Sequence, residues 1–293
     1  MRYPVDWVDA FTDTPFGGNG CAVVHEGGAL DTQACLAFTR ETSLVECTFV
    51  APSEVADVRV RYFLQTHEIP FAGHPTIATV ASLLHRGLVP EDSCRLETGA
   101  GIVEVEMRDG WIEMTQIAPT FGAEVPAEEV AEVVGIDPAD VVAPPQIVST
   151  GLPFCVTVLG SLESLQAARL TSPEALARFE AKERAGGMQA AWPYLVYRGG
   201  ATAAGDTFSR LLLATASPPE DPFTGSATGA AASYLWSRGL IASPAYIAEQ
   251  GHGLGRPGQA RVQVLGPPEA ITGVKVAGKA HVLMSGDLLL SSP

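Results

Sequence analysis

The chain has 293 residues, a length that allows one large domain or two ordinary ones. It carries 18 Lys and Arg against 33 Asp and Glu, a net charge of −15, which argues against nucleic acid or an anionic membrane surface as a partner. Hydrophobic residues make up 46% of the chain, which favours a globular protein over a disordered one.

The cysteines and the N-terminal residues bear on the cellular compartment of the protein. The five cysteines are widely spread, form no C-x-x-C pair, and predict free thiols in a reducing environment. They are Cys21, Cys35, Cys47, Cys94 and Cys155. The first residues lack a basic leader followed by an apolar core, and no run approaches the roughly 18 apolar residues of a membrane span. We therefore expect a soluble cytoplasmic protein.

Short strands with alternating polarity dominate the predicted elements. In chain order they are VDWVDAF, CAVVHE, ECTFVA, VRVRYFLQ, GIVEVEM, WIEMTQ, FCVTVLG, TFSRLLLA, ARVQVLG and GVKVAGKAHVLMSG. A helix is predicted after VRVRYFLQ, with Pro75 in its first turn and Gly87 as its stop. Another is predicted after TFSRLLLA, with Ser226 as its cap and Gly239 as its stop.

Residues 68–101 are repeated at an offset of 152 positions. Thirteen of the 34 positions are identical between the two copies, where unrelated sequence gives about two. The repeat covers both predicted helices and the Pro- and Gly-containing turn before each. A repeat this long predicts two structurally equivalent domains, and chance similarity between Gly- and Pro-rich turns is the alternative.

Many strands and few helices in two similar halves predict an α+β fold. We expect two pseudo-symmetric domains, each a curved mixed β-sheet or barrel wrapped around a central helix. The Pro-rich stretch 118–145 is the expected crossing point between the halves. The predicted domains are residues 1–117 and 118–278, and a C-terminal strand at about 279–293 can cross back to the first domain.

The start of each repeated helix is a candidate anion site. Gly73 and Gly225 open these helices, where unpaired backbone N–H groups and the positive end of the helix dipole attract anions. Two related domains that face each other aim both helix starts at one cleft, which can hold a carboxylate despite the negative net charge. The alternative is that both turns simply cap buried helices.

Three polar residues stand at these turns. His74 is the only one of the six histidines at a Gly-flanked helix start, where it can donate or shuttle a proton, although a lone histidine is more often structural. Asp221 can open a turn before Pro222, or it can bind an ammonium or hold a base in place. Ser226 is first a helix cap, because G-S-A-T-G is not the G-x-S-x-G nucleophile motif.

Glu46 interrupts the apolar strand SLVECTFV, where glutamate is disfavoured. Alternation places it on one face with Leu44 and Thr48. On a surface such a residue is simply solvated. In a cleft, desolvation raises the pKa of its carboxyl from about 4.3 toward neutrality, which makes it a usable acid and base.

The sequence lacks the common metal and nucleotide motifs. It contains no H-E-x-x-H, C-x-x-C or H-x₃-H group and no G-x-x-x-x-G-K-[ST] loop. The glycines of 251–255 lack the strand, helix and acidic partner of a dinucleotide-binding motif. We therefore expect neither a metal nor a cofactor.

A series of motifs resembles the phenazine-biosynthesis (PhzF-like) isomerase family, in order over essentially the whole chain. The motifs are FGGNGCAVV, VECTFV, HEIPFAGHPT, ETGAG, STGLPF, EDPFTGSA and QGHGLGRPG. The resemblance implies the diaminopimelate epimerase fold, with two pseudo-symmetric domains and the active site between them. The best-known member of the family isomerises trans-2,3-dihydro-3-hydroxyanthranilic acid without a cofactor, as a homodimer. A homodimer that acts on a small carboxylate is therefore expected here.

The same resemblance assigns roles to residues that the patterns had singled out. It places the acid/base glutamate at Glu46 and implies proton-handling or substrate-binding roles at both helix starts. The candidate catalytic residues are Glu46, His74 and Asp221, and the candidate substrate-binding residues are Gly73, Gly225 and Ser226.

Two departures from the family pattern bear on the chemistry. The family usually has Ser and Thr beside its glutamate and a proline in its GGNP turn, whereas this chain has Val45, Cys47 and Gly20. Related epimerases and racemases use a cysteine at each helix start, and this chain has Ala72 and Thr224 there. The first departure bears on which substrate is bound more than on the type of reaction. The second departure argues against a racemisation that uses two thiols.

Three functions follow as hypotheses. The leading one is a cofactor-independent isomerase in which Glu46 removes a proton from one carbon of a small amino or cyclic carboxylate and returns it at another. A racemase or epimerase, with Glu46 and His74 as the two bases, is the second. The third is a non-catalytic paralogue that binds a carboxylate, which the altered Val-Glu-Cys triplet motivates.

Overall fold

The computed structural model describes residues 1–185, 192–214 and 218–290. It contains two compact units: Met1–Met114 with Ala277–Pro293, and Thr115–Val276. The sequence-based boundaries are 117/118 and about 278/279.

The first unit is built on a mixed sheet. Its elements are β1 (Arg2–Ala10), β2 (Asn19–Val24), α1 (Thr32–Thr42), β3 (Glu46–Ala51), β4 (Val58–Leu64), β5 (Glu68–Ile69), α2 (Gly73–His85), β6 (Ser93–Thr98), β7 (Gly101–Arg108), β8 (Trp111–Gln116) and, from the end of the chain, β18 (Ala280–Leu289). The pairing order is β18-β1-β2-β3-β4-β6-β7-β8, with β5 added to β4. The β2–β3 and β4–β6 pairs are parallel, and the other pairs are antiparallel.

The second unit repeats this arrangement. Its elements are β9 (Thr120–Glu124), α3 (Ala127–Val134), β10 (Gln146–Ser149), β11 (Pro153–Leu159), α4 (Leu162–Ala167), α5 (Pro173–Ala185), β12 (Trp192–Tyr197), β13 (Thr207–Leu212), β14 (Glu220–Asp221), α6 (Gly225–Ser237), β15 (Ala245–Gln250), β16 (Gly258–Leu265) and β17 (Gly273–Gly278). The order β9-β10-β11-β12-β13-β15-β16, with β14 added to β13, matches that of the first unit strand by strand. The parallel pairs, β11–β12 and β13–β15, fall at the equivalent places. The predicted α+β fold is therefore confirmed.

A largely buried helix lies in each unit. In α2 and in α6, ten of the 13 residues are buried, as expected of helices that carry small and apolar residues on all sides. Helix α2 packs against β1, β2, β3 and β18, and α6 packs against β10, β11, β12 and β16. Both helices end before a glycine in the left-handed conformation, Gly87 and Gly239, as predicted. None of the described helices is long and apolar enough to cross a membrane.

The structure differs from the predicted elements in two respects. The sequence predicts only the two repeated helices, whereas the described residues also form α1, α3, α4 and α5. These helices bury only one side, and α3 lies within the Pro-rich stretch that was expected to be a crossing. The single strand expected in GVKVAGKAHVLMSG is two strands, β17 and β18, which are interrupted at Lys279. Gly278 there passes so close to Phe11 that a Cβ atom would lie 2.5 Å from the ring.

Candidate active site

Strand β3 places Glu46 against the start of α2. Thr48, two residues further along the strand, has its hydroxyl 2.8 Å from that of Thr79 on α2, so this face of β3 is directed at the helix. The Oε2 atom of Glu46 lies 3.3 Å from Nδ1 of His74. Glu46 is only 9% exposed, which excludes the alternative of a solvated surface glutamate.

His74 is buried as a neutral imidazole. Burial lowers the pKa of His74 to about 3, and a hydrogen bond with the Gly20 backbone acts in the opposite direction. Nδ1 also lies 3.2 Å from the amide nitrogen of Asn19, which is on β2. Nε2 is buried and has no hydrogen-bond partner among the residues that the structure describes.

This arrangement can move a proton and bind an anion. Nε2 can bond a ligand in either tautomer, as a donor when it carries the proton and as an acceptor when Nδ1 does. Helix α2 begins at Gly73, and the Ala72 N-cap offers no side chain to cap its first turn. The N–H groups of that turn are therefore suited to bind a carboxylate.

The start of α6 carries the other predicted residues. Asp221 is 7% exposed, and its Oδ2 accepts a hydrogen bond of 2.6 Å from the hydroxyl of Thr224. Gln250 donates to the backbone carbonyl of Asp221 at 2.7 Å and accepts from the backbone N–H of Thr224 at 3.1 Å. Asp221 thus shapes the turn, and its carboxylate is held at the helix start.

The prediction that Ser226 caps α6 is wrong. The helix begins at Gly225, and its N-cap residue is Thr224, two positions before Ser226. The Thr224 side chain does not cap the helix because its hydroxyl donates to Asp221. Ser226 is half-buried in the first turn.

Sequence reasoning missed several polar residues around both helix starts. Asn19 lies within the FGGNG motif, but its contact with His74 spans 55 residues. Gln116 donates to the carbonyl of Gly225 at 2.9 Å and accepts from the hydroxyl of Thr150 at 2.6 Å. These contacts link distant segments, and only the motifs around Asn19 and Thr150 offered a signal for them.

The two units differ chemically at equivalent positions of their sheets. Glu46 on β3 lies opposite Cys21 on β2, and the same place between β11 and β12 is taken by Trp192 opposite Phe154. The repeated fold therefore carries the candidate acid/base carboxylate on the first unit and an indole at the matching position of the second.

A cavity of about 630 Å³ lies in the second unit but away from these residues. Its lining includes Phe208, Arg210 and Leu212, which alternate along one face of β13, together with Glu220 and His252. None of the predicted site residues lines it. The candidate chemistry lies instead at the starts of α2 and α6. No cluster of His, Cys, Asp or Glu that could hold a metal ion occurs within 1–185, 192–214 and 218–290.

Known proteins resemble the chain along most of its length. A family model described as phenazine biosynthesis-like protein matches residues 8–286. An uncharacterized isomerase of Salmonella typhimurium is 30% identical, over 98% of this chain and 98% of that protein. The trans-2,3-dihydro-3-hydroxyanthranilate isomerase of Pseudomonas aeruginosa is also 30% identical, over 97% of this chain and 98% of the enzyme.

Solved structures show the same architecture. A Bacillus anthracis phenazine biosynthesis protein of the PhzF family is 26% identical and superposes with a TM-score of 0.86, covering 99% of this chain and all of that one. A hydroxyproline epimerase from Agrobacterium vitis, solved with bound trans-4-hydroxy-L-proline, has a TM-score of 0.62 over the whole chain and 94% of the epimerase. At 16% identity, this second likeness concerns the fold alone.

Proposed function

The chain belongs to the phenazine biosynthesis-like protein family and is an isomerase, and from this premise we propose that it acts without a cofactor, with Glu46 as its acid/base group. The observation that supports this most directly is the buried carboxylate of Glu46, 3.3 Å from the imidazole of His74. A positioned acid/base group contributes about 10²–10⁴ to a rate.

The reaction moves one proton and two electron pairs. The Glu46 carboxylate takes a proton from an acidic carbon, the electron pair of the broken C–H bond forms a new double bond to the next carbon, and the pair of the existing double bond moves to its far carbon. The same carboxyl then gives the proton to the carbon at the far end of the shifted pair. Nε2 of His74 holds a polar atom of the substrate meanwhile, since no described residue occupies it.

The proposed substrate is a small amino or cyclic carboxylate. The uncapped first turn of α2 at Gly73 suits its anionic group. The carboxylate of Asp221 suits an ammonium or hydroxyl group, and Gly225 and Ser226 offer the backbone N–H groups of the first turn of α6. The relative from Pseudomonas aeruginosa, named for trans-2,3-dihydro-3-hydroxyanthranilate, makes that compound the first probe.

Two observations favour proton migration over racemisation. A racemase requires two groups on opposite faces of one carbon, but Glu46 and His74 lie side by side, with Oε2 only 3.3 Å from Nδ1, which favours approach to a substrate from one side. The N-cap residues of α2 and α6 are Ala72 and Thr224, and neither side chain is a thiol.

The test is the Glu46→Gln variant. With trans-2,3-dihydro-3-hydroxyanthranilate in D₂O, we expect turnover and deuterium incorporation to fall at least about 100-fold while the thermal melt changes little. Glu41→Gln, at an exposed glutamate of α1, is the control and should behave as wild type. Turnover retained by Glu46→Gln would remove Glu46 from its role.

The identity of the product separates the alternatives. Migration of a double bond, seen by NMR, supports the proposal, whereas inversion of a stereocentre in the probe or in trans-4-hydroxy-L-proline would support a racemase. A probe that raises the melting temperature but never exchanges deuterium would indicate a binding protein without catalysis.

A further inference from the structure

The two residues of β14 carry carboxylates on opposite faces of the sheet of the second unit. Glu220 pairs with Leu212 and Asp221 with Leu211, and successive strand residues alternate in direction. Leu212 belongs to the apolar cluster that contains residues of α3, α4 and α5, whereas Leu211 packs with residues of α6. A strand of two residues has few backbone hydrogen bonds, so the place of Asp221 depends on what else holds β14.

Arg210 holds Glu220 from the neighbouring strand. Its Nε donates to Oε2 of Glu220 at 2.9 Å, and its Nη2 donates to the other carboxylate oxygen. Its Nη1 donates to three carbonyls at the end of α4, those of Leu165, Gln166 and Ala168, at 2.6, 3.2 and 3.0 Å. The side chains of Arg210 and Glu220 are only 8% and 15% exposed. The planar guanidinium of Arg210 therefore holds β14 on the sheet face opposite Asp221.

The first unit contains the same pair beside a residue without charge. Arg61 binds Glu68 through Nε and Nη2 at 2.8 and 2.7 Å, and the register Phe63–Glu68 and Tyr62–Ile69 matches that of β13 and β14. Its side chains are 17% and 37% exposed. The two units thus have equivalent ion pairs. The residue after the glutamate is Asp221 in the second unit and Ile69 in the first.

We propose that Arg210 and Glu220 form a positioning pair for Asp221. The pair fixes β14, and β14 fixes the carboxylate where Thr224 donates to it at 2.6 Å, at the start of α6. The catalytic consequence rests on the proposed function, in which Asp221 binds the substrate. Arg210 and Glu220 act only through Asp221, while the equivalent Arg61–Glu68 pair supports the fold alone.

A double-mutant cycle tests this dependence. With trans-2,3-dihydro-3-hydroxyanthranilate as the probe, we expect kcat/KM to fall about 10-fold in Glu220→Gln and about 100-fold in Asp221→Asn. The kcat/KM of the double variant should be no lower than that of Asp221→Asn. Once the Asp221 carboxylate has been removed, the ion pair has nothing left to position. Losses that multiply to about 1,000-fold would overturn the proposal.

Glu68→Gln is the matched control for the loss of the ion pair. It should lower the melting temperature yet keep kcat/KM within about twofold of wild type, because its strand neighbour carries no charge. A loss equal to that of Glu220→Gln would show that both pairs serve the fold and would overturn the specific role.

A crystal structure of Glu220→Gln provides a measurement that needs no substrate. We expect the 2.6 Å hydrogen bond between Thr224 and Asp221 to be broken, and an unchanged carboxylate position would overturn the proposal. If this variant does not fold, Arg210→Lys replaces it, since a lysine cannot bind both Glu220 and the three carbonyls. Activity retained by Glu46→Gln would refute the proposed function but leave this structural result standing.

Discussion

Glu46 and Cys47 are neighbours on β3, but strand alternation gives them different surroundings. The carboxylate lies against His74 at the start of α2. The thiol belongs to an apolar cluster with Ala22 and Phe49, and its sulfur lies 3.5 Å from the hydroxyl of Thr42 on α1. Burial raises the pKa of Cys47. The unusual residue after the glutamate therefore changes the layer behind the strand rather than the site itself.

We predict that Cys47→Ala leaves catalysis intact. Turnover of the probe should stay within about twofold of wild type, and the free energy of unfolding should fall by about 1–2 kcal/mol, because the change removes a buried side chain. Cys35→Ala, in the same cluster, is the control for packing. A tenfold loss of kcat in a folded Cys47→Ala protein would show that the thiol acts on Glu46.

Sequence could predict a residue at the site when the residue broke a local pattern. Glu46 stood out in an apolar strand and His74 at a Gly-flanked turn, and the structure brings the two together. Asn19, Gln116 and Gln250 broke no pattern, because each is an ordinary polar residue at the end of a strand. Their contacts depend on the register between distant segments, which local propensity does not encode.

At the scale of the helix, the start of α6 depends on close packing at Gly229. A Cβ atom there would lie 1.8 Å from Oε1 of Gln116, the atom that accepts the Thr150 hydrogen bond. Alanine normally stabilises a helix interior by up to about 1 kcal/mol relative to glycine. Here the clash outweighs that preference, because the amide of Gln116 also binds the carbonyl of Gly225.

Gly229→Ala should therefore destabilise the protein by about 1–3 kcal/mol and raise KM for the probe, because the start of α6 must shift. Chemical unfolding and steady-state kinetics measure the two effects. Gly253→Ala is the control, since a Cβ there has no atom within 4 Å among the described residues, and it should change stability by less than about 0.5 kcal/mol. Stabilisation by Gly229→Ala would contradict the packing argument.

The repeat made α2 and α6 predictable, but it did not indicate where the outer elements lie. Helix α3, for example, has acidic residues in its first turn and Gly135 as its stop, signals that the surrounding prolines obscured. The split between β17 and β18 falls next to Gly278, which passes close to Phe11, a tertiary contact that the sequence pattern does not reveal.

For the whole molecule, the burial of His74 links stability to pH. Its pKa is about 3 in the folded protein and about 6.5 when exposed, so between these values the unfolded chain binds the additional proton. The free energy of unfolding therefore falls as the pH falls through this window. The groups that face the His74 ring are Glu46 and Asn19. Burial also lowers the pKa of His25, which therefore adds to the loss of stability as the pH falls.

We expect His74 to account for about 2 kcal/mol of the stability lost between pH 7 and pH 5. Urea unfolding of wild type and His74→Gln at both pH values measures this contribution as the difference between the two losses. His85→Gln, at an exposed histidine of α2, should retain the loss of the wild type. An equal loss in His74→Gln and wild type would contradict the assignment.

The outer strand of the first unit, β18, comes from residues 280–289 near the end of the chain. The equivalent strand of the second unit, β9, comes from residues 120–124 and precedes the other strands of its unit. During synthesis the ribosome therefore releases every strand of the second unit before the last strand of the first. Until then the edge of β1 opposite β2 is unpaired, and such an edge can pair with other chains. The first unit is therefore begun before the second and completed after it, so β1 keeps its open edge while the whole of the second unit is synthesised.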